Sequence, residues 1–340
     1  MRQPSRLLLC FVALFCFALA PACGGGGGDG GTTPGGGGGA GGGGGTVGGS
    51  PGSADTIGWL ARINNIRAWA GLAAVTEDAS LKQGGDEHCI YMVRNDVIEH
   101  NQNTGVCCKT AAGLNAAMKS NLSISGGTPG LQQEAPIRGW ITGPFHGIGI
   151  LDPRLTQSSF SNYYELVGTF HHGAALDVLT HLSGTATGYP IMWPGNGAVI
   201  DILSYDGNES PDPLAGSGIT APTGTPIYLQ LGSGGVTPSV TASSFSEAGG
   251  AAMPHIIFDE TSYTNPSPAQ QSLARSILGG RDCIVLMPHA PLQAGKTYNV
   301  SITSNGTVHA WSFSTDASAS KRDLEPVKRV MAPVPAASKK

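Results

Sequence analysis

IGWLARINNIRAWAGL, residues 57–72, places apolar side chains at Trp59, Leu60, Ile63, Ile66 and Ala70 and stops at Gly71. Steps of three and four put those side chains on one face of a helix, and a glycine just past the last of them is a common stop. The spacing predicts an amphipathic helix over 57–70. A second is predicted over 79–95, entered through Thr76 or Asp78 as cap and carrying Leu81, His88, Tyr91 and Met92 on one side. Gly84 and Gly85 weaken it by about 1 kcal/mol each relative to alanine, a loss that close packing often repays. After Gly184 the pattern becomes short β-branched runs cut by Gly and Pro, at 198–203, 225–231, 236–244, 256–258, 284–287, 298–303 and 308–313. Runs at this spacing predict an all-β sandwich. The fold class expected is therefore α+β, with a helical first domain over 54–184 and a β domain over 185–316.

Outward from these blocks the chain changes character. Arg2 and Arg6 precede an apolar run over 7–20 and then Ala20-Pro21-Ala22-Cys23, the layout of a signal peptide over 1–22. The run is shorter than the ~20 residues needed to span a bilayer. Glycine fills 20 of the 29 positions over 24–52. Such a stretch builds no core, so 23–53 reads as a tether with a reach of roughly 30 Å. At the other end, 317–340 mixes six Lys or Arg with Ala, Ser and Pro and reads as a disordered tail. A net charge of −4 and only 12% charged residues leave no basic face, which excludes nucleic acid as the main partner. Once Cys10, Cys16 and Cys23 are set aside, Cys89, Cys107, Cys108 and Cys283 remain, and one bridge from Cys89 to Cys107 or Cys108 is expected in an oxidising compartment.

Several of these residues carry a family resemblance. Asn65-Ile66-Arg67, Gly71-Leu72, Asp78 with Leu81, His88, Tyr91-Met92, Asn95 and Glu99-His100 resemble the opening of a bacterial CAP-superfamily domain. This is the superfamily of cysteine-rich secretory proteins, antigen 5 and pathogenesis-related class 1 proteins. Trp140, Pro144-Phe145-His146 and Ile150-Leu151-Asp152-Pro153 are similar to a second block of its bacterial members, and Gly173-Ala174-Ala175-Leu176-Asp177-Val178 to their closing strand. Met287-Pro288, Pro291-Leu292, Gly295, Tyr298-Asn299-Val300 and 311–315 resemble the last two strands of bacterial Ig-like modules. The resemblance implies an α-β-α sandwich CAP domain followed by an Ig-like β-sandwich, placed outside the cytoplasm. The segment ending in Cys23 resembles a lipoprotein signal, implying a lipid anchor on Cys23. It implies an outer-membrane or cell-surface lipoprotein, or otherwise a secreted or periplasmic protein.

The resemblance also implies a cavity. His100 matches the family's first cavity histidine, while His146 and His172, with Glu99 or Glu165, are the further candidate ligands. Imidazole and carboxylate converging within ~2 to 2.6 Å would hold a divalent cation such as zinc, His100 and His146 first among them. The plain alternative makes His88 a helix histidine, His146 a turn cap, and His171 and His172 alternating strand residues. Three functions follow. The leading one is a non-enzymatic, membrane-tethered binding module for lipid, sterol, metal or protein at the cell envelope. Leu114, Ala117, Met118, Leu122 and Ile124 would line an apolar cleft for a lipid, or belong to an ordinary core helix. The second is a metal-dependent hydrolase or peptidase using the histidines. Against it, Ser120 stands where many members carry a glutamate, and general-base work needs an oriented partner. The third is adhesion or envelope scaffolding through the Ig-like surface.

Overall fold

The first predicted helix forms as α1 (Trp59–Ala68) and closes through Trp69 and Ala70 at Gly71, whose φ of 69° lies in the left-handed region. The structure is a computed structural model that describes residues 58–105, 107–126, 132–184, 186, 188–319 and 329–332. The expected signal peptide, the glycine tether and Cys23 lie outside these residues. Among the described residues no helix is long and apolar enough to cross a membrane.

Helix α1 buries Ile63 and Ile66 together with Arg62 and Arg67. A buried guanidinium needs acceptors. Arg67 donates to the carbonyls of Ala73, Ile150, Asp152 and Leu155, and so pins the end of α1 to two later segments. Burial lowers its pKa to about 10, with the Asp152 charge opposing the fall. The second predicted helix begins as a 3-10 turn (Ala79–Leu81), with the Asp78 carboxylate accepting from the Ser80 amide, and continues as α2 (Lys82–Asn95). Helix α3 (Ala111–Ala117) is capped by the Thr110 hydroxyl, which accepts from the Gly113 amide. The stretch from Leu114 to Ser125 is thus not one helix, because its second half is a strand.

That strand, β2 (Ser120–Ser125), lies inside a four-stranded antiparallel sheet with β5 (His172–Asp177), β4 (Phe160–Tyr164) and β16 (Arg329–Ala332), in the order β16-β2-β5-β4. The tail expected to be disordered over 317–340 therefore supplies an edge strand, with Arg329 opposite Ser125 and Ala332 opposite Leu122. Alternation sorts the faces. Leu122, Ile124, Tyr163 and Ala175 pack with Cys89, Tyr91, Met92 and Val93 of α2. On the opposite side, Phe160, Ala174 and Leu176 join Ile63 and Ile66 and the helices α4 (Glu134–Thr142) and α5 (Pro144–Ile150), through Ile137, Trp140, Phe145 and Ile148.

Two further sheets follow. One runs β12 (His255–Phe258), β13 (Cys283–Pro288), β10 (Ile227–Gln230), β6 (Ile191–Trp193), and the other β11 (Val240–Glu247), β14 (Thr297–Ser304), β15 (Thr307–Thr315), β7 (Val199–Ile200). Short pairs complete the topology: β1 (Thr76–Glu77) is parallel to β3 (Gln157–Ser158), and β8 (Ser204–Tyr205) is antiparallel to β9 (Thr223–Gly224). Ile227, Leu229, Ile284 and Leu286 face Phe245, Tyr298, Val300, Ile302 and Phe313 across the two larger sheets. Strands β10 and β13 are buried on both faces, which explains their unbroken apolar runs. Their other face, with Tyr228, Cys283, Val285 and Met287, enters the same core as α4 and α5. One element departs from the all-β expectation: α6 (Pro268–Gly279) has the Ser267 hydroxyl as cap and Pro268 in its first turn, and buries Ala274, Ile277 and Leu278. Its half-polar sequence sits between strand signals, and the Ser-Pro entry was its legible mark.

The described residues all belong to a single compact unit. Across the boundary placed at 184, Arg62 grips Asp201 with both terminal nitrogens at 2.8 and 2.9 Å. Tyr228 donates its hydroxyl to the Ile141 carbonyl at 2.7 Å, and Arg281 meets the buried Asp152 at 3.0 Å. Burial by itself would raise the Asp152 pKa; Arg281 and Arg154 outweigh it and hold the carboxyl below its ordinary value.

Candidate functional site

The histidines selected from sequence are distributed among three separate arrangements. His88, on α2, has no exposed surface. Its Nε2 donates to the Glu99 carbonyl at 3.0 Å, which leaves Nδ1 to accept from the Gln102 amide at 3.3 Å, and its ring stacks on Tyr91. Burial drives its pKa down to about 4. The Glu99 carboxylate accepts from the Tyr91 hydroxyl and from the Asn103 and Thr104 amides. Burial would raise its pKa, and these donors hold it below the usual value instead. His100 turns its Nδ1 toward the Ala117 carbonyl at 2.5 Å, closing the C-terminal end of α3. Glu99 and His100 thus brace one loop.

His146 sits in the first turn of α5, and neither its side chain nor that of Glu209 has exposed surface. One Glu209 oxygen accepts from the amides of Phe145 and His146 and from His146 Nδ1, at 2.8, 3.1 and 2.7 Å. A carboxylate at a helix start meets the free amides and the positive end of the backbone dipole. Burial raises the Glu209 pKa, with His146 pulling the other way, and its second oxygen is buried with no hydrogen-bond partner among the described residues. Glu209 carries no mark of a site residue in the sequence, since only the fold brings it to His146. His172 lies on β5 and accepts from the Gln132 amide at 3.3 Å. Glu165 is taken up by Arg94 and by the Tyr163 hydroxyl, both at 2.7 Å. The expected convergence of His100, His146 and His172 with Glu99 or Glu165 does not form. Among the described residues no three His, Cys, Asp or Glu side chains gather as a metal ion requires.

The cysteines also depart from expectation. Cys107 and Cys108 are bridged to each other, and Cys89 is a free, buried thiol. Cys89 faces the sheet from α2, with its sulfur 3.7 Å from the Ser161 carbonyl, and Cys108 packs against the same buried cluster without being bonded to Cys89.

A cleft of about 110 Å³ opens between the start of α2, α3 and the sheet. Its lining presents hydroxyls from Ser80, Ser120, Ser159, Ser161 and Thr180, the Asn115 amide and the Asp177 carboxyl. Gly84 and Gly85 let the helices come this close: a Cβ at Gly84 would lie 2.8 Å from the Ala112 carbonyl oxygen, and one at Gly85 2.3 Å from Ser161 Oγ. Asp177 accepts from the Leu179 and Thr180 amides and from the Thr180 hydroxyl. Burial still raises its pKa, with those bonds and Lys119 opposing. Ser161 donates to the Lys82 carbonyl, whereas the buried Ser159 hydroxyl finds no partner among the described residues. Sequence reasoning passed over this cleft, because serines carry no hydrophobic pattern. The available signals were the Gly84-Gly85 pair and the alternation of Ser159 with Ser161. A second, shallower groove of about 300 Å³ is lined by Trp69, Pro190 and Met192 among alanines and glycines.

This arrangement can bind: the Ser80, Ser161 and Thr180 hydroxyls already donate to Asp78, the Lys82 carbonyl and Asp177, and so present acceptor oxygens around a carboxyl committed to its own turn. Set against known proteins, the chain matches no family model, and no curated protein matches it.

Proposed function

We propose that this chain is an exported binding module of CAP type, joined to an Ig-like sandwich, held at the cell envelope by a lipid on Cys23 and the glycine tether, and that it takes a small polar ligand in the serine-lined cleft. The CAP reading rests on the residues quoted above and draws support from the layers, with α2 on one face of the first sheet and α1, α4 and α5 on the other. The two larger sheets packed face to face support the Ig-like reading.

One observation carries the ligand class. A buried hydroxyl without a protein partner is satisfied by water or by a bound group, and Ser159 lies in a cleft whose polar lining is mostly hydroxyl. About 110 Å³ is well below the roughly 300–1,000 Å³ of pockets that hold drug-sized ligands. It suits a neutral fragment of a few heavy atoms bearing hydroxyl or amide groups, and is too small for a sterol or an acyl chain. Binding is favoured over hydrolysis because the candidate bases are engaged in bracing the loop, α5 and the strands. A lipid ligand would be served by the groove beside Trp69 and Met192.

The test is an amide NMR titration of the exported chain with glycerol and larger polyols, then with lipid extract and with zinc. Saturable shifts at Ser80, Gly84, Gly85 and Ser159 with a polyol are expected. The exposed Asn115, changed to tryptophan, should plug the cleft and abolish them while the rest of the spectrum is kept. Absence of saturable polyol shifts, or shifts unaltered in Asn115→Trp, would overturn the proposal. Shifts at Trp69 and Met192 with lipid alone would replace it with the lipid reading.

A further inference from the structure

The loop over 99–110 holds chemistry that ligand binding in the cleft does not use. Cys107 and Cys108 are bridged and both partly exposed. The other described cysteines, Cys89 and Cys283, are buried, and burial pushes both thiols up. A disulfide stabilises mainly by closing a loop of the unfolded chain, and the effect grows with loop length. A bridge between neighbours closes a ring around one peptide bond, so its contribution as a staple is close to nil. It coincides with an unfavourable backbone: Cys108 has φ 66°, a region that residues other than glycine rarely adopt.

The surroundings anchor the loop without the bridge. The Asn95 side chain accepts from the Cys107 amide at 3.4 Å and donates to the Cys107 carbonyl at 3.2 Å. Gly105 lies against Asn95 so closely that a Cβ there would come within 2.2 Å of its Cγ. Thr110 caps α3 and donates to Glu87 at 2.5 Å. The same Asn95 amide nitrogen, which also donates to the Tyr91 carbonyl at 2.8 Å, is 3.9 Å from Cys107 Sγ, so the N–H it gives the Cys107 carbonyl can be shared with a thiolate formed there.

We propose that Cys107–Cys108 is a thiol-exchange site, opened by a dithiol reductant while the rest of the molecule stays folded. A thiolate of the reductant attacks Cys108 Sγ, and the Cys107–Cys108 bond breaks. Cys107 leaves as a thiolate beside Asn95 and takes up a proton. The second thiol of the reductant, deprotonated, then attacks its own sulfur in the mixed disulfide and releases Cys108, which is protonated in turn. The chain gains two electrons and two protons, and the reductant leaves as its disulfide. Exchange through an accessible sulfur is the ordinary route of such reactions.

The test treats the full chain with graded dithiothreitol, without denaturant, followed by alkylation and peptide mass mapping. Cys107 and Cys108 are expected to be alkylated together while Cys89 and Cys283 stay unmodified. Phenylarsine oxide, which needs two neighbouring thiols, should then bind one equivalent and block both alkylations. Cys108→Ser should keep the thermal midpoint, leave Cys107 open to alkylation without reductant, and lose the arsenical. A map that joins Cys89 to either residue would overturn the proposal, as would a pair that reacts only when Cys89 and Cys283 react as well.

Discussion

His88 has nowhere to place a second ring proton. Its Nε2 already donates to the Glu99 carbonyl, and its Nδ1 faces the Gln102 amide, so protonation would set one N–H against another. The folded pKa of about 4 lies below the ordinary 6.5 that the unfolded chain restores. Between those values the unfolded state binds the extra proton. Stability from this residue is therefore fully present above pH ~6.5 and is lost as pH falls toward 4, at up to about 1.4 kcal/mol per unit. Urea midpoints at pH 7.5 and 5 should differ in that direction, and His88→Gln should remove close to one proton's worth of the slope. An unchanged slope would mean that other groups govern acid sensitivity. The helix face of His88 was legible in its spacing. Its partners were not, because Glu99 and Gln102 reach it only when the following loop folds back.

The glycines of α2 decide how closely that helix approaches its neighbours. Alanine at Gly85 gains about 1 kcal/mol of helix propensity. Against this, its Cβ would stand 2.3 Å from Ser161 Oγ and 2.7 Å from Ser161 Cβ. Ser161 is held by its bond to the Lys82 carbonyl and cannot turn aside freely. Overpacking of this kind costs roughly 1–3 kcal/mol, so Gly85→Ala should lower the urea midpoint. A variant as stable as the parent would show that the helix can back away from β4. Helices α1 and α2 and the strands β10 and β13 were readable because their apolar residues recur at the element's own period or run unbroken. Helix α6 and strand β16 were not. The first is short and half polar, and the second depends on a partner far back in the chain. The serine-lined cleft escaped for a related reason, since it is assembled from small residues on five elements, α2, α3, β2, β4 and β5.

At the scale of the whole molecule, the sandwich and the helical half share one interior. Tyr228, Cys283, Val285 and Met287 belong to the same buried cluster as Ile141, Phe145 and Ile148. Each large side chain of this kind contributes about 1.5–3 kcal/mol by burial, and separating the halves would expose them all. The full chain should unfold in a single thermal transition, and fragments 54–184 and 185–316 made separately should show no cooperative melt. Two independent transitions, or a fragment with a sharp melt of its own, would contradict a common core. The two halves were legible from texture; the interior they share was not, because an apolar run does not reveal what it will face.

Strand β16 gives the molecule an order in time as well as in space. The sheet against α2 lacks its edge until residues 329–332 arrive to lie beside β2. Everything between Ser125 and Arg329 must therefore be synthesised before the first sheet can be finished, and contacts of such long sequence separation form slowly. Until then β2 is paired on one side only, with β5. The sheet that was begun first is thus the one closed last, after every residue of the sandwich already exists.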